Sequence, residues 1–367
     1  MGLTQHDLGS LDDQTCILLL GTYIMAVQQG DNKMKLQNMS AQSITNYLQA
    51  AHSWLEVHQG RHIDILDPNA SSKSSKYHPF LGQQIADCRA WYKPSKKKEP
   101  YTAEMFEALA KALAAQADPL RTFVDKVYAV YDWCRLGVFT GFRITEYAQS
   151  RLKKGQKFLL VPSAPFVPQE WWGTPLAFIA ADFTFYDKTH RVVTHDQLFE
   201  RFQGGDVIDL EIRWRYDKSA HNFSIRRFRT TGHPIFDPVG AAVSIIHRHN
   251  LLGVEKHLPL GVFRTAKGKT YRFLKDTDVK QIMQGSVDLA YPDKAHYMQK
   301  NKKLVLPHSN RVTAAVCLQR GGANNDEIAF KLRWHPNSVP TYLRDCFESV
   351  GDMLQRAVTG VLKLTFA

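Results

Sequence analysis

Residues 307 to 345 read "PHSNRVTAAVCLQRGGANNDEIAFKLRWHPNSVPTYLRD". His308 and Arg311 stand three apart on what reads as a helix, so one helical face presents an imidazole and a guanidinium together. A second helical segment, "NNDEIAFKLRW", follows, and the string runs on through two prolines to Tyr342. The pair "DEIAFKLRWHPNSVPTYLR" has the look of a helix-turn-helix. A display of paired donors followed by an isolated phenol sets the question that the rest of the chain answers.

At 367 residues the chain exceeds the usual size of one hydrophobic core, so two domains are expected. Hydrophobic residues make up 44% and aromatics 11%, which excludes a mainly disordered or fibrous protein. Lys and Arg number 47 against 35 Asp and Glu, and the formal charge of +12 is the balance expected of a protein that meets polyanions, nucleic acid first. The five cysteines, Cys16, Cys88, Cys134, Cys317 and Cys346, are widely spaced and form no CxxC pair, a pattern of reduced thiols. The most apolar run, "CILLLGTYIMAV", is too short to span a bilayer, so a soluble intracellular protein without a membrane partner is expected.

The first 93 residues read as a helical bundle. "SAQSITNYLQAAHSWLEV" offers Ser40 as a cap and Ile44, Tyr47, Leu48, Ala51 and Leu55 at helical spacing, with "LDDQTCILLLGTYIMAVQQG" and "FLGQQIADCRAWYK" beside it. Residues 94–101, within "KPSKKKEPYT", read as a basic linker, and Thr102 with Glu104 opens a new helix. Phe123, Val127, Val130, Tyr131, Cys134 and Val138 then line one helical side. In "VIDLEIRWRYDKSAHNFSIRRF" Ile208, Leu210, Ile212, Trp214 and Tyr216 alternate with Asp209, Glu211, Arg213 and Arg215, the period of a half-buried strand, and Phe223 with Ile225 begins its return partner. From about Pro238 helical segments dominate again. The fold class is therefore mainly α with a small antiparallel β-sheet.

Three other patterns carry no chemistry. "RTAKGKTYRF" contains GKT, but Phe263 stands where a phosphate-binding loop needs its first glycine. His247 and His249 are two apart on a helix and point in different directions. "AADFTFYD" supplies no paired carboxylates at metal-binding spacing. Neither a cofactor nor a metal is expected.

Arg143 in "TGFRITEY", His308 and Arg311 in "PHSNR", Trp334 in "LRWHP" and Tyr342 in "TYLRD" occur in an order that resembles the tyrosine recombinases of the phage-integrase type. The likeness is greatest to the Cre branch and to the crypton and DIRS-type transposon recombinases. The family's first box, T-G-x-R-x-x-E, is matched by Thr140, Gly141, Arg143 and Glu146. Its second is H-x-x-R, followed by a His or Trp and then the nucleophile. The resemblance covers about residues 96–345, while the region before it is similar to the family's core-binding domain in general helical character. Trp334 precedes Tyr342 by eight positions, about one fewer than the family's spacing, and the adjacent His335 is a rival for the same phosphate contact.

The resemblance implies a helical core-binding domain over 1–93, a linker over 94–101, a catalytic domain over 102–346 and a C-terminal helix over 347–367, with the two domains closing as a clamp on duplex DNA. It implies cleavage and rejoining of DNA strands through a 3′-phosphotyrosyl intermediate, in a mobile-element recombinase that acts as a homodimer and homotetramer. Tyr342 is then the nucleophile, Arg143 and Arg311 the phosphate clamp, His308 the proton acceptor or phosphate donor, Trp334 a further donor and Lys218 the general acid. Glu146 and His335 support them. Lys96, Lys97, Lys98, Lys267, Lys269, Arg226 and Arg227 are expected at the DNA backbone. Tyr291 and Tyr297 are the substitutes should Tyr342 not be the nucleophile. The residue types suit the chemistry: guanidinium forks match the extra charge of a pentavalent phosphate, and a tyrosine phenol, neutral at pH 7, needs a proton acceptor.

The tail carries Phe347, Val350, Leu354, Val358, Val361 and Leu362 as an apolar stripe, expected to dock on a neighbouring subunit. Two other readings compete: a DNA-binding regulator built on the helix-turn-helix without chemistry, and a type IB topoisomerase. The Arg143 and Glu146 box is the feature a regulator has no reason to carry. The expected location is at DNA inside the cell, in the nucleus of a eukaryotic host and otherwise in the cytoplasm.

Overall fold

The computed structural model describes residues 11–29, 41–59, 77–91, 98–116, 122–149, 152, 155–163, 167–216, 224–265 and 270–343. Five of the expected DNA-contacting or catalytic lysines, Lys96, Lys97, Lys218, Lys267 and Lys269, lie outside these residues, as does the 347–367 tail. No helix among the described residues is long and apolar enough to cross a membrane. The chain divides into two compact units, Met1–Ser95 and Lys96–Ala367.

The described residues of unit 1 form three helices, α1 (Asp13–Gln29), α2 (Ala41–Gln59) and α3 (Pro79–Trp91). Ile17 and Ile24 from α1, Ile44 and Leu48 from α2, and Leu81 and Ile85 from α3 form its apolar centre. Ile44 and Leu48 are the inward residues of the α2 pattern, whereas Tyr47, one position earlier than Leu48, is exposed.

Unit 2 opens with residues 98–101, which composition placed in the linker. They pack into its body: Glu99 and Pro100 are buried, Tyr101 is 1% exposed, and Tyr101 N–H donates to Thr313 Oγ1 at 2.7 Å. An aromatic ring of that size is worth more against apolar neighbours than in water, which draws the end of the linker inward. The helices α4 (Ala103–Ala114), α5 (Thr122–Thr140) and the single turn α6 (Ile144–Tyr147) follow. α4 buries Met105, Phe106, Leu109 and Leu113 at three- and four-residue spacing.

After α6 come β1 (Phe183–Asp187), β2 (Val192–Val193), α7 (Leu198–Gln203), β3 (Val207–Arg213) and β4 (Ile225–Arg229). The four strands form one antiparallel sheet in the order β2-β1-β3-β4, with Phe185 opposite Leu210 and Leu210 opposite Phe228. The alternation read in the sequence is that of β3: Leu210, Ile212 and then Trp214 are fully buried. β1 and β2 had no reading, and the acids of the "AADFTFYD" stretch are structural. Asp182 is paired with Arg215 at 2.7 and 3.0 Å, and Asp187 accepts from Thr189 and Arg191. Ile225 is exposed and Phe228 is the buried residue of β4.

The chain continues through α8 (Pro238–Leu251), β5 (Val262–Arg264), β6 (Tyr271–Phe273), α9 (Asp276–Ala290), α10 (Tyr297–Asn301), α11 (Ser309–Arg320), α12 (Asn325–Leu332) and α13 (Val339–Leu343). β5 and β6 make a separate antiparallel hairpin around the GKT sequence. His247 stacks on Phe199 while His249 is wholly buried, and among the described residues no group of three His, Cys, Asp or Glu side chains is placed to hold a metal. One apolar core joins α4, α5, the sheet, α8 and α9, and a second joins α11 to α13.

The turn between α5 and α6 is the point where these cores meet. Gly141 has φ +58°, and a Cβ placed there lies 3.1 Å from Leu332 Cδ2. The left-handed backbone reverses the chain after Thr140 and lets α12 approach closely. Gly141→Ala is therefore expected to lower stability by about 1–2 kcal/mol from backbone strain alone, read as a lower denaturant midpoint. An unchanged midpoint excludes the left-handed turn.

Candidate active site

Each element contributes one part of the site for a local reason. Gly141 ends α5, Phe142 drops into an aromatic core beside Trp133, Phe178 and Trp214, and the chain restarts as α6 with Arg143 as its N-cap. Glu146, in the first turn, reaches back: its Oε2 accepts from Arg143 N–H at 3.0 Å and its Oε1 lies 3.4 Å from the Arg143 guanidinium. The T-G-x-R-x-x-E spacing is thus that of a glycine turn followed by a reciprocal helix cap.

His308 caps α11 and Arg311 lies one turn inside it. Arg311 is 5% exposed. Its Nη1 donates to the Gly141 carbonyl at 2.7 Å, and its guanidinium carbon sits 4.5 Å from the Trp334 ring centre and 5.8 Å from that of Tyr342. Among the described residues no carboxylate pairs with Arg311 in an ion pair. Burial lowers its pKa first, opposed by Tyr342, and the like charge of Arg143 lowers it further. Arginine nevertheless stays protonated in proteins, so the site carries a desolvated positive charge.

Tyr342 stands in α13 between two rings. Trp334 stacks on it with centres 4.1 Å apart, and the His308 ring lies 5.4 Å away on a tilt of 31°. The Trp334 indole N–H is buried without a hydrogen-bond partner among the described residues. His335 is exposed, and its Nδ1 accepts from Asn337 N–H at 3.3 Å. Of the two rivals, Trp334 is the one brought to Tyr342 and Arg311. Lys98 is half-buried and close enough for its charge to act on His308.

The other expected contacts are placed elsewhere. Arg226 donates two hydrogen bonds to the Phe330 carbonyl, at 3.1 and 2.9 Å, and lies 4.2 Å over the Phe330 ring. Arg227 pairs with Glu211 at 2.8 Å. Tyr291 shares a hydrogen bond with Thr102 and donates to Glu104, while Tyr297 donates to Glu99 at 2.6 Å.

No protein-family model matches the chain, and no curated protein matches it significantly. Two solved structures are similar in shape. The Tn1549 transposon integrase in complex with transposon right-end DNA is 13% identical, with 93% of this chain and 84% of that one covered and a TM-score of 0.44. XerA recombinase is 13% identical, with 94% and 98% covered and a TM-score of 0.36. Likeness at that level carries no weight here, and the chemistry rests on the residues above.

Sequence reasoning missed two members of the constellation. Trp214 donates its indole N–H to Glu146 Oε2 at 3.4 Å. Arg333 is buried, with its guanidinium 3.4 Å from the same oxygen and 3.8 Å over the Trp214 ring. Trp214 was visible as an inward strand residue, but nothing local marks Arg333 as different from Lys331 or Arg344.

The imidazole of His308 is pushed down to about 4, chiefly by desolvation of the ring and then by the charges of Arg311 and Lys98, although the residue as a whole is exposed. Its neutral form is thereby favoured at pH 7, as a proton acceptor requires. The unfolded chain holds a proton on this residue below about pH 6.5 that the folded chain refuses, so its contribution to stability is full above that pH and falls away as pH drops toward 4. An NMR titration should place His308 below the ordinary histidine value in the free protein. Titration at or above that value contradicts the site's electrostatics.

Proposed function

We propose that this chain is a tyrosine recombinase, a mobile-element enzyme of the Cre and crypton type that cleaves and rejoins duplex DNA strands. The observation that carries the reading is the convergence of His308, Arg311 and Trp334 on Tyr342, with Arg143 near enough for its charge to act on Arg311, around a buried guanidinium with no ion-paired carboxylate among the described residues. A desolvated cation beside an unsatisfied indole donor is a place built for an anion, and a phosphodiester is the anion that a protein of formal charge +12 meets on DNA.

In the proposed reaction the Tyr342 phenolic oxygen attacks the phosphorus, the bond from phosphorus to the 5′ oxygen breaks, and a 3′-phosphotyrosyl link forms. Neutral His308 takes the phenolic proton. Arg143 and Arg311 hold the non-bridging oxygens, and Trp334 offers its indole N–H to one of them. A preorganised donor of this kind contributes about 10²- to 10³-fold in rate. Glu146 keeps Arg143 in place. Lys218, on the connection from β3 to β4, gives its proton to the departing 5′ oxygen, a role worth roughly 10²- to 10⁴-fold. The link keeps the energy of the phosphodiester, so another strand's 5′-hydroxyl can displace Tyr342 with neither ATP nor Mg²⁺. Coordinated exchange of strands calls for a homodimer and homotetramer on DNA, with the 347–367 segment joining subunits.

Two experiments test the reading. Incubation with a pool of random duplexes, followed by a denaturing gel, should trap DNA on the wild-type chain and none on Tyr342→Phe, while DNA affinity changes little because the phosphate donors remain. An adduct that survives in Tyr342→Phe moves the nucleophile to Tyr291 or Tyr297. Lys218→Ala should slow cleavage strongly on normal DNA and recover on a substrate whose 5′ bridging oxygen is sulfur, a leaving group that needs no proton. Absence of that recovery removes Lys218 as the acid.

A further inference from the structure

We propose that Arg333 is a positioning residue that fixes the Tyr342 phenol and the phosphate donors relative to one another, a role that rests on the recombinase reading above. Three independent observations point to it. Arg333 has φ +59°, in the left-handed region where a glycine sits freely and a larger residue is strained. Its side chain is 0% exposed, which is rare for a guanidinium. That guanidinium spans two parts of the site, meeting Glu146 Oε2 at 3.4 Å and the Trp214 face at 3.8 Å.

The geometry gives the residue leverage in two directions. Its backbone forms the left-handed close of α12, with Trp334 N–H returning to the Ala329 carbonyl at 2.8 Å. The next residue, Trp334, lies against both Tyr342 and Arg311. A rotation at residue 333 therefore moves the indole between the nucleophile and the clamp. Its side chain shares the Glu146 carboxylate with Arg143, whose backbone N–H binds the same Oε2. Trp214 directly follows β3, the strand that leads toward Lys218. One guanidinium thus ties the nucleophile's segment to the phosphate clamp and to the end of β3. A glycine at 333 relieves the backbone but gives up both side-chain ties, to Glu146 and to Trp214, and a purely structural pin needs none of the charge.

The test compares Arg333→Gly and Arg333→Lys with the wild-type chain on duplexes that the wild type attacks through Tyr342. Single-turnover cleavage rate, DNA dissociation constant and melting temperature are measured together. Arg333→Gly should cleave about tenfold to hundredfold more slowly, the range for losing a group that orients a reacting one, with affinity nearly unchanged. Millimolar guanidinium chloride, but not equal sodium chloride, should restore part of that rate. A wild-type rate in Arg333→Gly overturns the proposal. So does a parallel fall of rate, affinity and melting temperature in both variants without guanidinium rescue, which marks a merely structural pin. Should Arg333→Gly not fold, Arg333→Lys decides alone: a several-fold lower rate at unchanged affinity and melting temperature supports the role, and an unchanged rate rejects it. If the wild-type chain itself forms no Tyr342-dependent adduct, the recombinase reading fails first and the positioning role falls with it.

Discussion

The buried guanidinium of Arg311 is the constraint around which unit 2 is arranged. Taking such a group out of water without a carboxylate beside it costs several kcal/mol, and the chain offsets this only in part. The Gly141 carbonyl accepts one hydrogen bond, and the faces of Trp334 and Tyr342 present their negative quadrupoles to the charge. Each of those partners demands something of the fold. The carbonyl is aimed by a left-handed glycine, the indole by a left-handed turn at residue 333, and the phenol by the short α13. Glu146 acts on the charge without an ion pair to it, and on the proposed reading full neutralisation is left to a phosphate from outside.

Glu146 distributes that demand through the molecule. Its Oε2 receives the Arg143 backbone, the Trp214 indole and the Arg333 guanidinium, so one buried carboxylate joins α6, the end of β3 and the end of α12. A second set of contacts runs alongside on the outer face. Arg226 of β4 donates to the Phe330 carbonyl, and Lys331 donates back to the Arg227 carbonyl at 3.1 Å while lying over Phe228. These reciprocal cation contacts fasten the β3–β4 hairpin to α12. Arg226 and Arg227, expected at the DNA backbone, thus also hold contacts within the protein.

What was legible in the sequence followed from period and spacing. The α4 face, the inward side of β3 and the pairing of His308 with Arg311 all rest on local repeats that survive folding. Tyr47 turned outward because a three-helix unit covers only a narrow stripe of α2. Residues 98–101 looked like linker because lysine and proline dominate their surroundings, and one buried Tyr101 outweighed that composition. β1 and β2 escaped because each is short: β2 is two residues pairing back on β1, and β1 gains its second partner, β3, only after α7. Arg333 escaped for the same reason in sharper form: its meaning comes from Glu146 and Trp214, 187 and 119 positions away in the chain, and a lone arginine after "KL" reads as a solvated helix end.

The helix-turn-helix look of α12 and α13 raises a regulator without chemistry as the competing account, and side-chain direction separates the two. In such a motif the first helix crosses the phosphate backbone and the second enters the groove. α12, the first of the pair, begins with Asp326 and Glu327, both exposed, and carboxylates at that position repel the DNA backbone. The cations that a groove-reading element would turn outward are turned inward instead: Arg311 and Arg333 are both buried, the first against Tyr342 and the second against Glu146. A regulator gains nothing from burying one guanidinium against a phenol and a second against a carboxylate behind it, since that arrangement sacrifices both base contact and stability. An enzyme gains the one thing such enclosure provides, which is positive charge already fixed and dehydrated where negative charge develops during attack.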